Sequence, residues 1–129
     1  MILLDTHAWI WWVSAPEQLS PAAREAIEGA HELGVSPISC WELATKVSRG
    51  KLRLDRDLEV WVHQALARPR VTVAGLLPEI AVAAGRLGSQ GFHGDPADRM
   101  IVATAMYHDS LLVTKDGAIR EFSPVRTVW

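Results

Sequence analysis

One cysteine, Cys40, stands in the 129 residues, so no internal disulfide can form, which fits a reducing, cytoplasmic setting. No apolar run approaches the roughly 20 residues needed to cross a bilayer. The opening stretch MILLDTHAWIWWV lacks a basic leader and carries Asp5 and His7, so neither a signal peptide nor a membrane anchor is expected. Nor is there an excess of positive charge. With 13 Lys and Arg against 15 Asp and Glu, the net charge is −2, which excludes a broad basic surface as the main grip on a polyanion. Repeats, low-complexity segments and linkers are also missing. What remains is ordinary globular composition, 49% hydrophobic and 22% charged, enough for one domain spanning residues 1–129 with a real core.

Short apolar runs alternate with helical patterns along the whole chain. Met1–Leu4 reads as a strand buried on both faces, followed by an aromatic helix over Ala8–Val13. Ser20-Pro21 opens a helix expected to reach about Leu33. A weak second strand over Gly34–Ile38 leads into a helix over Ser39–Ser48. Further helices are expected over Leu58–Ala67, Pro78–Leu87, Asp95–His108 and Gly117–Phe122, with strands at Val71–Val73, Leu111–Thr114 and Arg126–Val128. Strands spaced by helices imply parallel pairing, hence a three-layer α/β/α sandwich around a mostly parallel sheet. In such sheets ligands sit beyond the carboxyl ends of the strands, where strand order reverses.

Four acids fall at those ends: Asp5 after the first strand, Glu42 and Asp98 in first helical turns, and Asp116 after the fourth strand. Each also has a structural reading. Ser39-x-x-Glu42 spells a capping box, Asp95-x-x-Asp98 a first-turn pair, and Asp116-Gly117 a turn. Asp5 and Asp98 fit such readings less well, because one ends a wholly apolar strand and the other heads the inward stripe Ile101, Val102, Ala105. Gathered in one pocket, four carboxylates repel unless a divalent cation neutralises them. Oxygen-only ligation suits one or two Mg²⁺ or Mn²⁺ ions, and such sites serve phosphoryl chemistry. Asp95 is assigned first to helix capping and second to metal or water binding.

Without the four acids, 13 basic side chains face 11 acidic ones, a balance of +2. Lys46, Arg49, Lys51, Arg53 and Arg56 form a locally basic run along which a phosphate backbone could lie, though a solvated face explains the run equally well. Ser39 reads as a helix cap, and Thr6 and Thr114 as neighbours able to hydrogen-bond a carboxylate. His7 reads as packed and locally satisfied, and Arg99 as the ion-pair partner of Asp95 one turn earlier. His31, His63, His93 and His108 lack ligand spacing. Trp9, Trp11 and Trp12 cannot all face one way on a helix, so this segment is a candidate partner interface, Trp11 above all.

The stretches LLDTHAWIWW, SPISCWELATKVSRGKL, HGDPADRMIVATA and LLVTKDGAIREF together resemble the PIN-domain proteins of the VapC toxin type, over nearly the whole chain. That resemblance implies a PIN-like α/β/α fold and a metal-dependent endoribonuclease whose acids match Asp5, Glu42, Asp98 and Asp116. It also implies homodimerisation, structured RNA such as tRNA or rRNA as substrate, and neutralisation by a cognate VapB- or Phd-like antitoxin. Two other functions compete. One is a non-catalytic PIN-like protein-binding domain. The other is an aspartyl-nucleophile phosphatase using Asp5, whose usual acid two residues later is replaced by His7.

Overall fold

In a computed structural model that describes residues 1–129, five parallel strands form one sheet in the order β3-β2-β1-β4-β5. The strands are β1 (Ile2–Leu4), β2 (Leu33–Val35), β3 (Val71–Val73), β4 (Leu112–Val113) and β5 (Thr127–Val128). Seven helices connect them: α1 (Thr6–Ser14), α2 (Pro21–Gly29), α3 (Pro37–Ser48), α4 (Leu58–Leu66), α5 (Pro78–Arg86), α6 (Pro96–Tyr107) and α7 (Gly117–Glu121). No helix is long and apolar enough to cross a membrane.

Strand alternation sorts the apolar runs into two cores. Leu3 and Leu112 pack with Ile80, Leu87, Phe92, Ile101 and Ile119 beneath α5, α6 and α7. Leu4 and Val113 face the other way, toward Trp9, Ile27, Leu43 and Trp61 on α1 to α4. Helices on both faces explain why β1 is uninterruptedly apolar, and the expected three-layer α/β/α sandwich is the one observed. Strand order reverses at β1, which pairs with β2 on one side and β4 on the other. The ladder runs one residue past the strand, Asp5 N–H donating to the Val113 carbonyl at 3.0 Å. Asp5 is thereby fixed in the crevice between β1 and β4.

Three helix boundaries differ from expectation by two residues or more. Helix α1 begins at Thr6 rather than Ala8, because the Asp5 carboxylate accepts the Thr6 N–H and caps it. Helix α2 stops at Gly29 instead of near Leu33, and β2 takes over from Leu33. Arg70, 40 residues downstream of Ala30, donates to the carbonyls of Ile27 at 2.9 Å and Ala30 at 2.7 Å, satisfying the end of that helix from afar. Finally, α3 is capped by Ser36 with Pro37 at its first position, so the second strand ends at Val35 and Ser39 lies inside the helix. The capping box Ser39-x-x-Glu42 therefore does not exist, and Glu42 loses its structural explanation.

Candidate active site

Polar groups converge on the β1–β4 crevice from the ends and first turns of β1, α1, α3, β4, α6 and α7. Asp5 is 3% exposed. Its Oδ1 accepts the Thr6 N–H at 2.7 Å and its Oδ2 accepts the Thr114 hydroxyl at 2.6 Å. A carboxylate held from both oxygens keeps one orientation in the crevice. The Thr114 hydroxyl in turn accepts the Asp116 N–H at 3.0 Å, and Asp116 accepts the Ile119 N–H at 2.9 Å to cap α7. Asp116 thus fills both of its readings, a helix start and a half-buried acid on the pocket edge.

On the other side, Thr6 Oγ1 lies 2.5 Å from Glu42 Oε1 and 2.8 Å from Ser39 Oγ. With one proton to give, Thr6 donates to the carboxylate and accepts from the fully buried Ser39. Ser39, expected to cap a helix, instead braces Thr6 against Glu42. This contact bridges residues 33 and 36 positions apart, which no local pattern could reveal.

Asp98 enters from α6, where Asp95 caps the helix by accepting the Asp98 N–H at 2.8 Å. The loop before it passes so close that a Cβ on Gly94 would meet the Phe92 ring at 2.5 Å and Asp98 Cβ at 3.1 Å. Only glycine lets the chain slip between that ring and the acid. The stripe Ile101, Val102, Ala105 is buried as expected. Arg99 does not pair with Asp95; its Nε donates to the Gly94 carbonyl at 2.8 Å and straps the same loop.

Glu42, Asp95 and Asp98 offer carboxylate oxygens that all lie within 4.8 Å of one another. Asp95, placed second to capping by sequence, serves the cap and the cluster together. Electrostatics ties in the other acids. Burial, then repulsion from Asp95, Asp5, Asp116 and Glu42, pushes the Asp98 pKa up to about 7. Burial chiefly raises Glu42 as well, with Asp5 and Asp95 adding to it and the Thr6 hydrogen bond opposing. A carboxyl raised this far by burial and by neighbouring acids is a group short of a cation. The donor set, all oxygen and partly buried, fits a hard divalent ion such as Mg²⁺ or Mn²⁺.

His7 closes the rim. Its Nε2 accepts the Lys115 N–H at 3.0 Å, so the ring proton sits on Nδ1, 3.6 Å from Asp5 Oδ2. Burial, followed by the fields of Lys46 and Lys115, depresses its pKa against the pull of Asp5 and Asp116. The ring packs against Trp11 at 5.1 Å and Trp129 at 5.9 Å between centroids, as its packed reading anticipates.

The basic run divides. Lys46 lies on α3 close enough to Glu42 and His7 for its charge to be felt by both. Arg49 and Lys51 are exposed beyond the end of α3, while Arg53 lines a groove of about 560 Å³ with Ile10, Leu52, Trp61 and Arg68. Among the tryptophans, Trp9 is wholly buried and meets Trp61 edge-on at 5.2 Å, so it is core and not a partner contact. Trp12 is half-buried under the Arg68 guanidinium, 4.4 Å from the ring centroid. The tryptophan most open to solvent is Trp41, at 58%, which stands alone in sequence, away from the Trp9–Trp12 cluster that signals an interface.

Comparison with known proteins agrees with this architecture. The PIN domain family pattern matches residues 2–123. Ribonuclease VapC22 of Mycobacterium tuberculosis (strain ATCC 25618 / H37Rv) is 42% identical over 130 residues, covering 99% of this chain and 98% of that protein. Among solved structures, VapBC2 from Rickettsia felis, bound to a DNA fragment from its promoter, superposes with a TM-score of 0.71 at 16% identity, over 98% of this chain and 97% of that one. A toxin–antitoxin complex from Klebsiella pneumoniae gives 0.70 at 21% identity, over 97% and 95% of the two chains. The sheet, the acid-lined crevice and a relative matched from end to end lead to one assignment: the chain belongs to the PIN-domain family, on its VapC branch.

Proposed function

We propose that the chain is an endoribonuclease toxin that hydrolyses RNA phosphodiester bonds at the β1–β4 crevice and is restrained by a cognate antitoxin. The observation that carries this reading is the gathering of the Glu42, Asp95 and Asp98 carboxylates within 4.8 Å of one another, where burial first and then repulsion from Asp95, Asp5, Asp116 and Glu42 raise Asp98 to about 7. Asp98 and Glu42, with Asp95 beside them, are the residues to hold one or two Mg²⁺ or Mn²⁺ ions, and Asp5 and Asp116 complete the negative wall. Such an ion, when bound, supplies Lewis acidity toward a phosphoryl oxygen and lowers the pKa of water.

The chain's own contribution is orientation. Thr114 and the Thr6 N–H aim Asp5, Ser39 and Thr6 aim Glu42, and the Gly94 loop seats Asp98. Lys46, with Arg49 and Lys51 beyond it, is suited to neutralise a phosphate backbone entering the crevice. Arg53 would act from the separate groove beside α1. That groove, apolar on its floor and rimmed by Arg53 and Arg68, suits an amphipathic, acidic segment of the antitoxin. Pairing into homodimers and action in the cytoplasm belong to the same reading.

The test is cleavage of a tRNA and rRNA mixture in Mn²⁺, with Asp98→Asn and EDTA as controls. The proposal expects discrete fragments bearing 5′-phosphate and 3′-hydroxyl ends, lost in both controls. Intact RNA with fully metal-loaded protein would favour the alternative of a non-catalytic binding domain.

A further inference from the structure

Beside the acids stands a feature that metal ligation leaves unused. Trp11 and Trp129 lie 5.8 Å apart between ring centroids and both pack on His7, whose imidazole touches the Asp5 side of the crevice. Both indoles are half-buried, so each keeps an edge or face in solvent. Lys115, exposed, carries its Nζ over the Trp11 ring, 5.7 Å from the centroid, from where it must swing aside for a base to stack, and its backbone N–H donates to the His7 ring at 3.0 Å. Aromatic surface one imidazole away from a carboxylate cluster, with an ammonium beside it, is the chemistry that grips an unpaired nucleotide: a base stacks on the ring and a phosphate meets the cation.

We propose that Trp11 and Trp129, held upright by His7, form a stacking subsite for an unpaired base flanking the scissile phosphate, and that Lys115 contacts the phosphate of that nucleotide. The inference rests on the nuclease reading and adds to it an aromatic contact with the nucleotide beside the cleavage position. The subsite is sequence-tolerant, since every base presents a π-face. The location of these groups favours RNA over a protein partner, because the wall adjoins the acids whereas the groove beside α1 is lined by different residues.

The probe is a fluorescein-labelled 12-nucleotide RNA of mixed sequence with phosphorothioate linkages, which resist cleavage, in Mn²⁺. It is compared with the same backbone carrying abasic positions. The intact protein is expected to prefer the base-bearing strand by about 5- to 150-fold. Trp11→Ala should abolish that preference, and Trp11→Phe should restore most of it. Lys115→Ala should weaken both strands equally and make the salt dependence shallower by about 0.7 in log–log slope. Trp129→Ala, at a half-buried terminal position, keeps the test open if Trp11→Ala fails to fold.

Absence of any preference for bases in the parent protein would overturn the inference. So would a preference that survives both alanine variants. Cleavage of phosphodiester RNA measured in parallel separates the two layers. Base preference without cleavage would sink the nuclease reading alone, and cleavage without base preference would sink the subsite alone.

Discussion

Replacing Asp98 by Asn should make the metal-free protein more stable at pH 8, and by only about a third as much at pH 5. The folded state holds the Asp98 proton up to about pH 7, against an ordinary value of 3.8. Between those values the folded chain binds more protons than the unfolded one, so this group's contribution to stability falls as pH rises from about 4 to about 7. At about 1.36 kcal/mol per tenfold in proton affinity the gap would amount to about 4 kcal/mol. Asp98 is only half-buried, and solvent screening reduces this to about 1–2 kcal/mol. With unfolding entropy of about 2.1 cal/mol/K per residue, that is about 4–7 °C in midpoint for a chain of this length. His7 works in the opposite sense: its depressed pKa makes protonation in acid a cost of folding. The quantity to read is therefore the midpoint of Asp98→Asn minus that of the parent, in EDTA, by calorimetry at pH 5, 6, 7 and 8, where the contribution of His7 cancels. The difference should grow from about a third of its full size at pH 5 to about 4–7 °C at pH 8. A difference that stays flat, or a variant less stable than the parent at pH 8, would refute the picture of Asp98 as a crowded acid.

Other expectations follow from the same contacts. Ser36→Ala should cost about 1 kcal/mol in urea unfolding as the lost cap of α3, and replacement of Ser39 should instead impair metal affinity through Thr6 and Glu42. Equal and purely structural losses at both serines would contradict the assigned cap. Gly94→Ala should lower metal affinity tenfold or more by displacing Asp98 or Phe92, read by calorimetric titration. Trp9→Ala should destabilise by about 3–5 kcal/mol in chemical denaturation, whereas the exposed Trp41→Ala should change stability by no more than about 0.5 kcal/mol.

Much of this site was legible because its acids sit where a parallel sheet puts function, at strand ends and in first helical turns. Asp5, Asp98 and Asp116 could be placed by counting from apolar runs that never interrupt themselves, and Asp95-Pro96 announced α6. Ser39 is not the cap that the Ser39-x-x-Glu42 spacing suggests, and the signal for the true cap stands in the sequence. Ser36-Pro37 repeats the Ser20-Pro21 pattern, which opens α2 correctly, and Pro37 at the first helical position fixes the start of α3 three residues earlier. The dual role of Asp95 was harder to see, since capping alone explains the residue until the fold brings Glu42 beside it.

Some features lie beyond any local reading. The early end of α2 depends on Arg70, and the burial of Trp9 on Trp61. Helical periodicity states that three neighbouring tryptophans point in different directions; which of them is core is decided by elements 50 residues away. The Thr6–Glu42 contact and the Thr114–Asp5 bond are likewise products of topology, and they supply what composition could not: the orientation of each carboxylate.

The central claim is that these acids form one cation site. Titration calorimetry of Mn²⁺ into the protein at pH 7, repeated in buffers of different ionisation enthalpy, tests it most directly. Because Asp98 is half protonated near pH 7, binding should release about half a proton per site, and Asp98→Asn should abolish both the proton release and most of the affinity. Equal Mn²⁺ affinity in the parent and in Asp98→Asn, or no binding by either, would contradict the account.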